Sequence, residues 1–279
     1  MRYQRSSFLL PLIFVSLSAV ALTQGPAQPA KLKGSPSLAI TEMGSWKVIQ
    51  KGTEFRKVTL ERSEPYHMID LKIARFDTRW VTPRIVRSVQ YNLKAAHVKT
   101  LAEKSGAIAM INANYFDEKG RPLGFLKAAA DQVNPHISKS SLLTGILGIK
   151  DRLPFIIHRD DFFPQQADEG LQAGPLLLVK GTALSVVRGA GKQSRRSLIG
   201  IDKEQRLIIA VTDSLLGGLS WVEVQELFGA GQWQVHATDL LNLDGGGSTQ
   251  LYVKGIQTEE HVPGTTDIPV AVGFFQRTP

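Results

Sequence analysis

One carboxylate followed by three glycines separates two apolar runs near the C-terminal end of the chain. The stretch is LNLDGGGSTQLYVKG, residues 241–255, in which Asp244 ends the first run and Ser248 precedes the second. Glycine lets a backbone approach a ligand closely, and consecutive uncovered N–H groups can cradle an anion. Asp-Gly is also a common hairpin turn, which two glycines would satisfy. The third glycine, and Asn242 on the same strand face as Asp244, favour a functional site.

Polar side chains of similar chemistry mark the ends of other apolar runs. Two carboxylates could serve as acid and base at a glycosidic bond, and an arginine could hold a phosphate with two parallel hydrogen bonds. Each residue taken alone is equally a polar side chain at the point where a strand becomes a loop. The residues are Asn112, Asn114 and Asp117 in INANYFD, Thr212 and Asp213 in IIAVTD, and Arg195 and Arg196 in SRRSLIG.

Several familiar catalytic patterns are missing from the sequence. A P-loop needs Lys and then Ser or Thr after its last glycine, whereas Gly247 is followed by Ser248 and Thr249. Ser248 has no Gly-x-Ser-x-Gly frame, so a nucleophile elbow is not indicated. The six histidines lack zinc-site spacing, and the chain has no cysteine for a disulfide or a thiol nucleophile.

The first residues differ in composition from the rest of the 279-residue chain. Arg2 and Arg5 precede an apolar run over residues 8–22, and Ala-Val-Ala at residues 19–21 is typical of a signal-peptidase site. We therefore expect an exported protein, periplasmic or extracellular, which contacts a membrane only if this segment is not cleaved. The predicted divisions are a signal peptide or anchor over 1–21, a linker over 22–45 and a single domain over 46–279.

The net charge of +8 is spread along the chain without a block of five or six like charges. In an exported protein, such a balance suits anionic envelope polymers or phosphate-bearing substrates. No nucleic-acid-binding motif accompanies the charge. We therefore expect a sugar-phosphate or anionic glycan as the partner, and no nucleic acid.

From residue 46 onward, short apolar segments alternate with turns, which predicts an α+β fold with one mixed, strand-rich sheet and at least two packed helices. In SWVEVQELFGAG, Ser220 and Glu223 form a capping box and Gly229 ends the helix. A second helix is predicted over residues 92–106, with Asn92 as its N-cap. Residues 197–213 are predicted to form a hairpin. Further strands are predicted over 64–76, 107–116, 142–149, 173–181 and 268–276.

Taken together, five segments in this order resemble the phosphodiester glycosidase family. That family hydrolyses a sugar–phosphate linkage in a cleft formed by strand ends. The resemblance also implies a strand and a tight turn over residues 125–134, where intrinsic propensity alone favours a helix. The segments are INANYFDEKGRPLG at 111–124, LQAGPLLLVKG at 171–181, SRRSLIGID at 194–202, AVTDSLLGGLSWVEVQELF at 210–228 and LNLDGGGSTQLYVKG at 241–255.

The resemblance implies which residues form the site. We expect Asp213 or Asp244 to act as acid or base, and Arg196 with the Asp244 glycine turn to bind phosphate. Ala113 and Asn114 replace two family glycines, so Asn114 is expected to place an amide in the cleft. The expected substrate-binding residues are Asn112, Asn114, Asp117, Gly174, Arg196, Thr212, Asn242, Gly245, Gly246, Gly247 and Ser248.

The expected function is hydrolysis of a sugar-1-phosphodiester in an envelope or extracellular glycan. One alternative is a module that binds such a glycan in the same cleft without turnover. Another is a cation-dependent phosphoesterase, in which Asp117, Asp213 and Asp244 would supply oxygen ligands to Mg²⁺ or Ca²⁺. Apart from that cation, no cofactor is indicated.

Overall fold

Alternation of apolar and polar residues makes this chain a predominantly β protein. A computed structural model describes residues 30–32, 35–129, 131–185, 189–229 and 235–277. The α-helices of these ranges are α1 (Val98–Ser105) and α2 (Trp221–Phe228), and the 3₁₀ helices are Ser88–Tyr91, Arg159–Asp161, Pro164–Gln166 and Gly246–Ser248. The strands are β1 (Ala30–Leu32), β2 (Ser35–Met43), β3 (Lys47–Gln50), β4 (Thr53–Ser63), β5 (Tyr66–Phe76), β6 (Val81–Arg87), β7 (Ala109–Asn112), β8 (Leu126–Ala128), β9 (Asp131–Asn134), β10 (Gly145–Lys150), β11 (Leu153–His158), β12 (Glu169–Ala173), β13 (Leu176–Val179), β14 (Thr182–Ala183), β15 (Ser197–Asp202), β16 (Leu207–Asp213), β17 (Ala237–Asn242), β18 (Leu251–Lys254), β19 (Glu259–Val262) and β20 (Val270–Gln276).

These strands form three antiparallel sheets. The first sheet has ten strands in the order β1-β2-β4-β5-β16-β15-β17-β13-β14, with β3 paired to β4. The second sheet has the order β11-β10-β12-β8-β9, and the third has the order β19-β18-β7-β20-β6. Neighbours in sequence pair as hairpins in many places, while β17 and β20 are inserted beside strands distant in the chain.

All three sheets contribute to one large hydrophobic core. The first sheet contributes Ile209 and Leu241, the second Leu147, and the third Ile111 and Phe274. The Phe274 ring also stacks on Phe76 of the first sheet, with ring centroids 4.1 Å apart. Because the first and third sheets pack face to face, the ends of their strands lie close together along one rim.

Each helix covers the outer face of one sheet. In α2, Val224 and Phe228 pack with Leu198 and Leu240 of the first sheet. The predicted capping box of this helix is confirmed, and Gly229 follows its last turn as expected. The other helix, α1, packs on the third sheet through Leu101. The layers are therefore α1, third sheet, core, first sheet and α2.

Several local predictions are confirmed and three are wrong. The hairpin over residues 197–213 forms as β15 and β16. Residues 125–134 form β8 and β9 rather than a helix, in line with the strand and tight turn implied by the family resemblance. The single mixed sheet is wrong, because the strands divide into three antiparallel sheets. The second helix begins at Val98 rather than at Asn92, which ends a 3₁₀ helix with a φ of 59°.

The predicted linker over residues 22–45 is also wrong where the structure describes it. Residues 35–43 form β2, which pairs with β4 in the first sheet. Its buried Leu38 and Ile40 alternate with more exposed residues, a strand pattern that the surrounding proline and alanine obscured. The predicted signal segment over 1–21 lies outside the described residues. No helix among the described residues is long and apolar enough to cross a membrane.

Candidate active site

A network around Asn112 joins the first and third sheets where β7 and β17 end. The backbone N–H of Asp244 donates to the carbonyl of Ala113 (3.0 Å). The Asn112 amide donates to the carbonyl of Asp244 (2.7 Å), and its oxygen accepts from Ser197 Oγ (2.7 Å) and the Gln250 N–H (3.1 Å). Because both ends of the buried Asn112 amide bond within the protein, this residue holds Asp244 in place, and its predicted contact with substrate stays a prediction.

The Asp244 carboxyl group lies half-buried at this junction. Its Oδ1 accepts from the Gly245 N–H at 2.9 Å. Burial raises the pKa of the Asp244 carboxyl, and hydrogen bonds from Ser248 and the Gly245 N–H oppose the rise without cancelling it. A carboxyl group whose pKa is raised by its surroundings is a candidate for general acid or base catalysis.

The raised pKa predicts how an Asp244→Asn substitution changes stability with pH. A group with a raised pKa stabilises the folded state at low pH, and this contribution is lost as pH rises through the folded-state pKa. We therefore expect the free energy of unfolding of the variant, relative to wild type, to increase as pH rises above about 4, the ordinary pKa of the carboxyl in the unfolded chain. Urea unfolding at several pH values measures this difference. A difference that decreases over the same range would mean that the site stabilises the Asp244 anion.

Tyr115, Asn242 and Gly174 form a buried cluster beside Asp244. The Tyr115 hydroxyl donates to the Gly174 carbonyl (2.9 Å), and the Asn242 amide donates to the same carbonyl (2.8 Å) and to that of Leu243 (2.7 Å). Burial raises the pKa of Tyr115, the charge of Asp244 raises it further, and the nearby guanidinium of Arg196 opposes the rise. Tyr115 therefore lies within electrostatic reach of both charged groups.

Glycine is required at residue 174 by a close backbone approach. A Cβ atom there would lie 1.9 Å from the carbonyl oxygen of Leu142, so any side chain would displace the backbone. Gly174 has a structural role here, in which its carbonyl orients Tyr115 and Asn242; its predicted substrate-binding role stays a prediction.

Arg196 is buried against the first turn of α2. Its guanidinium lies over the Trp221 ring, 4.8 Å from the ring centroid, and its Nε donates to the Leu219 carbonyl (2.7 Å). Its Nη2 donates to the Lys192 carbonyl. Burial lowers the pKa of Arg196, while Tyr115 and Glu223 oppose the change. Two of its five N–H donors are used within the protein, which leaves both Nη1 hydrogens and one Nη2 hydrogen for a phosphate.

Register places the two predicted catalytic carboxylates on opposite faces of the first sheet. Extending the β15–β16 and β15–β17 registers by two residues puts Asp213 beside Arg195 and Asp244 beside Arg196. Neighbouring residues of a strand point to opposite faces, so Asp244 shares a face with Arg196 and Asp213 does not. Instead, Asp213 is 41% exposed and forms an ion pair with Lys72 at 3.4 Å. The structure does not assemble Asp213 and Asp244 as a pair.

The first two glycines of the turn do not present uncovered N–H groups, contrary to the predicted anion cradle. The Gly245 N–H donates to the Asp244 carboxylate, and the Gly246 N–H donates to the Arg195 carbonyl (2.9 Å). Gly246 has a φ of 61°, a conformation that favours glycine. The glycines therefore allow a tight turn that aims the Asp244 carboxylate.

The end of the turn is also bonded within the protein. The Ser248 N–H donates to the Gly245 carbonyl (3.2 Å), and the Gly247 carbonyl accepts from the Thr265 N–H (2.9 Å). The Ser248 side chain is buried and bonds to Asp244. Ser248 thus acts through the carboxylate of Asp244.

Asp117 and Thr212 have local structural roles. The Asp117 carboxylate accepts from the N–H groups of Lys119 and Arg121 (2.9 Å each) and from Arg121 Nε (2.7 Å). Hydrogen bonds from the Arg121 backbone and side chain hold the pKa of Asp117 below its usual value. The buried Thr212 hydroxyl accepts from the Arg196 N–H (2.7 Å). Both side chains therefore bond within the protein, and their predicted substrate-binding roles stay predictions.

Three buried polar atoms near Asp244 and Arg196 have no hydrogen-bond partner within the described part of the chain. They are Asn114 Oδ1, Asn242 Oδ1 and Trp221 Nε1. The Asn114 nitrogen donates to the carbonyl of Tyr115 (2.9 Å), which leaves its oxygen as the available acceptor. An unsatisfied buried polar atom costs about 1–3 kcal/mol, so a ligand or water is expected to bond there.

The carboxylate set suggested for a cation is not assembled. Among the described residues, no three His, Asp or Glu side chains are grouped closely enough to hold a metal ion. Asp117 is held by Arg121, Asp213 by Lys72, and Asp244 by its own turn. Any cation at this site would need ligands other than these three carboxylates together.

Two residues of the site were missed by sequence reasoning. Tyr115 lies in the motif INANYFD, where only its polar neighbours were selected, and Trp221 was assigned only to a helix. A tyrosine hydroxyl usually finds a hydrogen-bond partner when it is buried, and Tyr115 stands between two asparagines and an aspartate in this motif. The sequence alone could therefore have indicated Tyr115 as a site residue. The contact of Trp221 with Arg196 depends on how α2 packs, and no local pattern encodes it.

Comparison with known proteins decides the family of this chain. The model of the phosphodiester glycosidase family matches residues 105–275. The chain belongs to this family. The match includes every segment on which the candidate site rests, from Asn112 to Ser248. No curated protein sequence matches the chain.

Solved structures share the fold of this chain. The catalytic domain of zebrafish N-acetylglucosamine-1-phosphodiester α-N-acetylglucosaminidase superposes with a TM-score of 0.63 at 16% identity, covering 86% of this chain and 89% of that domain. A hypothetical Synechocystis protein superposes with a TM-score of 0.57 at 15% identity, covering 82% of this chain and 63% of that protein. A Burkholderia pseudomallei protein, described as a candidate exported protein, superposes with a TM-score of 0.50 at 10% identity, covering 78% of this chain and 74% of that protein. At these identities, the similarity shows the fold alone.

Proposed function

We propose that this phosphodiester glycosidase family member is a hydrolase that cleaves a sugar-1-phosphodiester in an envelope or extracellular glycan. The observation that carries the proposal is the raised pKa of the half-buried Asp244 on the sheet face it shares with Arg196. In the reaction, water attacks C1 of the sugar, the bond from C1 to the phosphate oxygen breaks, and a free sugar and a phosphomonoester leave.

Asp244 is the group proposed to move the proton. Its half-buried carboxyl is fixed by Asn112 and by the glycine turn, so it can exchange a proton with a group at a defined position. The Asn114 oxygen, which has no hydrogen-bond partner among the described residues, is proposed to bind the sugar, and the Tyr115 hydroxyl is proposed to position Asn242 through their hydrogen bond (3.0 Å). Such fixed polar groups around one reacting carboxyl reduce the entropy cost of the reaction.

Arg196 is proposed to attract the phosphate. Its charge is buried, and no ion pair with a carboxylate is made by this guanidinium among the described residues. Electrostatic attraction is stronger where water is excluded, so even one remaining donor edge would contribute to phosphate binding. The charge would also stabilise the phosphomonoester as it leaves.

Export is proposed from the N-terminal sequence, with a cleaved signal over residues 1–21. The first residues carry the charged, apolar and small-residue pattern of a secretory signal. A Burkholderia protein of similar fold is described as a candidate exported protein. Fractionation of a tagged full-length chain, with the N-terminus of the mature form sequenced, tests the location and the cleavage together.

Hydrolysis in ¹⁸O-labelled water tests the reaction and identifies the bond that breaks. We expect the protein to release free sugar from some members of a panel of sugar-1-phosphodiesters, with the label on C1 of the sugar. Label on the phosphate instead would indicate a phosphoesterase. Binding without release would indicate a glycan-binding module. A parallel series with a chelator determines whether Mg²⁺ or Ca²⁺ is needed.

A further inference from the structure

Two adjoining cavities lie at the far end of the third sheet, away from Asp244. They have volumes of about 340 and 290 Å³ and share Thr82, Arg84, Arg152 and Phe275. Strands β6 and β20 form their floor, and the turn between β10 and β11 forms one wall. In β20, Ala271 lies opposite Asn112, whereas Phe275 lines the cavities. Four residues of strand separate these positions by roughly 13 Å.

The smaller cavity is lined by three arginines and no acidic residue. Its lining residues are Thr82, Arg84, Arg152, Phe275, Gln276 and Arg277. Arg277 Nε donates to Thr82 Oγ1 (2.8 Å), and the Arg84 guanidinium lies 5.3 Å from the centroid of the Phe275 ring. Within the described part of the chain, none of the three arginines forms an ion pair, and Arg277 Nη2 has no hydrogen-bond partner.

The acidic residues of the larger cavity are occupied elsewhere. Asp168 pairs with Lys150 at 2.6 Å and accepts from the Asp151 N–H at 2.8 Å. Glu169 accepts from the Ile85 N–H at 2.6 Å. Burial raises the pKa of Glu169, while the Ile85 N–H and the charge of Arg84 oppose the rise. These carboxylates therefore neutralise the positive charge of the three guanidiniums only in part.

The backbone holds one of these arginines in an uncommon conformation. Asp151 and Arg152 form the tight turn after β10 with φ values of 50° and 68°. A side chain in this left-handed region costs about 1 kcal/mol or more, and glycine is the common choice in such turns. The turn nevertheless places the Arg152 side chain at the wall of the cavity, where it adds a third positive charge.

We propose that the arginine cavity formed by Arg84, Arg152 and Arg277 binds a phosphate group or a similar small oxyanion. Clustered guanidiniums without carboxylate partners repel one another, and an oxyanion removes this repulsion while accepting charge-assisted hydrogen bonds. The ligand is either free phosphate or a phosphate carried on a glycan, since both present the same oxygens. The inference concerns a second site and does not depend on the proposed hydrolase activity.

Titration calorimetry with inorganic phosphate tests the proposal on the mature chain. We expect wild type to bind phosphate and the Arg84→Gln/Arg152→Gln variant to lose one site, or to bind about tenfold more weakly there. The matched control is Lys47→Gln/Lys254→Gln, which removes the same charge from exposed residues on other strands. It is expected to bind as wild type does. Circular dichroism and thermal melting establish that both variants are folded.

A second titration distinguishes the source of the phosphate. Arg277→Gln is added as a fourth protein, and all four proteins are titrated with inorganic phosphate and with a simple diester, glycerophosphoglycerol. Loss of binding in the arginine variants for both ligands supports a site for phosphodiester chains, and loss for inorganic phosphate alone supports a site for free or terminal phosphate. No binding by wild type, or equal weakening in the lysine control, overturns the proposal.

Discussion

Asp244→Asn is expected to lower kcat/KM for a cleaved sugar-1-phosphodiester by about 10²–10⁴-fold, the range in which a lost general acid or base usually falls. Asn has nearly the same shape and can still accept from the Gly245 N–H, so the glycine turn should persist. It cannot exchange a proton at neutral pH. The measurement is the initial rate of sugar release, made alongside thermal melting of the same preparation.

Asp213→Asn is the matched control for this experiment. Asp213 was an equal candidate by sequence, yet it points to the other face of the sheet and pairs with Lys72 near the surface. Exposed ion pairs contribute little to stability, so Asp213→Asn should leave the fold intact, and we expect the rate of sugar release to stay within about threefold of wild type. If both variants lost activity equally, the two carboxylates would act together despite their faces. If Asp213→Asn alone lost activity, the reacting carboxyl would be Asp213.

Arg62→Met is expected to reduce the free energy of unfolding by about 3–5 kcal/mol, because it leaves a carboxylate buried without its partner. The side chains of Arg62 and Glu223 are 0% and 3% exposed, and their ion pair measures 3.0 Å. Arg62 also donates to the Gly218 carbonyl (3.2 Å), next to the Leu219 carbonyl that holds Arg196. The loss therefore affects both stability and the geometry of the candidate site.

Two further variants separate this ion pair from a general effect of removing arginine. Arg79 pairs with Asp77 at 2.6 Å but is 82% exposed, so Arg79→Met should change stability far less than Arg62→Met does. The double variant Arg62→Met/Glu223→Gln should be more stable than Arg62→Met, because no charge then remains buried. Urea unfolding of all three measures the differences. Equal losses for Arg62→Met and Arg79→Met would contradict the argument.

The same ion pair has a defined pH dependence. Burial tends to raise the pKa of Glu223, but hydrogen bonds from Arg62, Ser35 and the Ser220 N–H outweigh it and hold the pKa below its usual value. A depressed pKa stabilises the folded state above the unfolded-state pKa, and this contribution is lost as pH falls through the folded-state pKa. The loss in the free energy of unfolding caused by Arg62→Met should therefore become smaller as pH is lowered.

Local patterns predicted much of the fold where neighbouring residues alone decide the structure. The capping box of Ser220 and Glu223 defines the start of α2 whatever the helix packs against. The hairpin over residues 197–213 needs only a turn between two apolar runs. Division into three sheets was not predictable in this way, because it depends on which distant strands pair. The inclusion of β2 in the first sheet was missed for the same reason.

The candidate site shows the same contrast. The sequence by itself determined the strand ends that carry Asn112, Arg196 and Asp244, because motif order and chemistry are local and resemble one family. Only the tertiary structure decided that Asp244 shares a face with Arg196 while Asp213 does not. A strand alternates its side chains between two faces, and the face toward a given neighbour depends on the register of both strands. That register is set by packing across the whole sheet, which no single segment encodes.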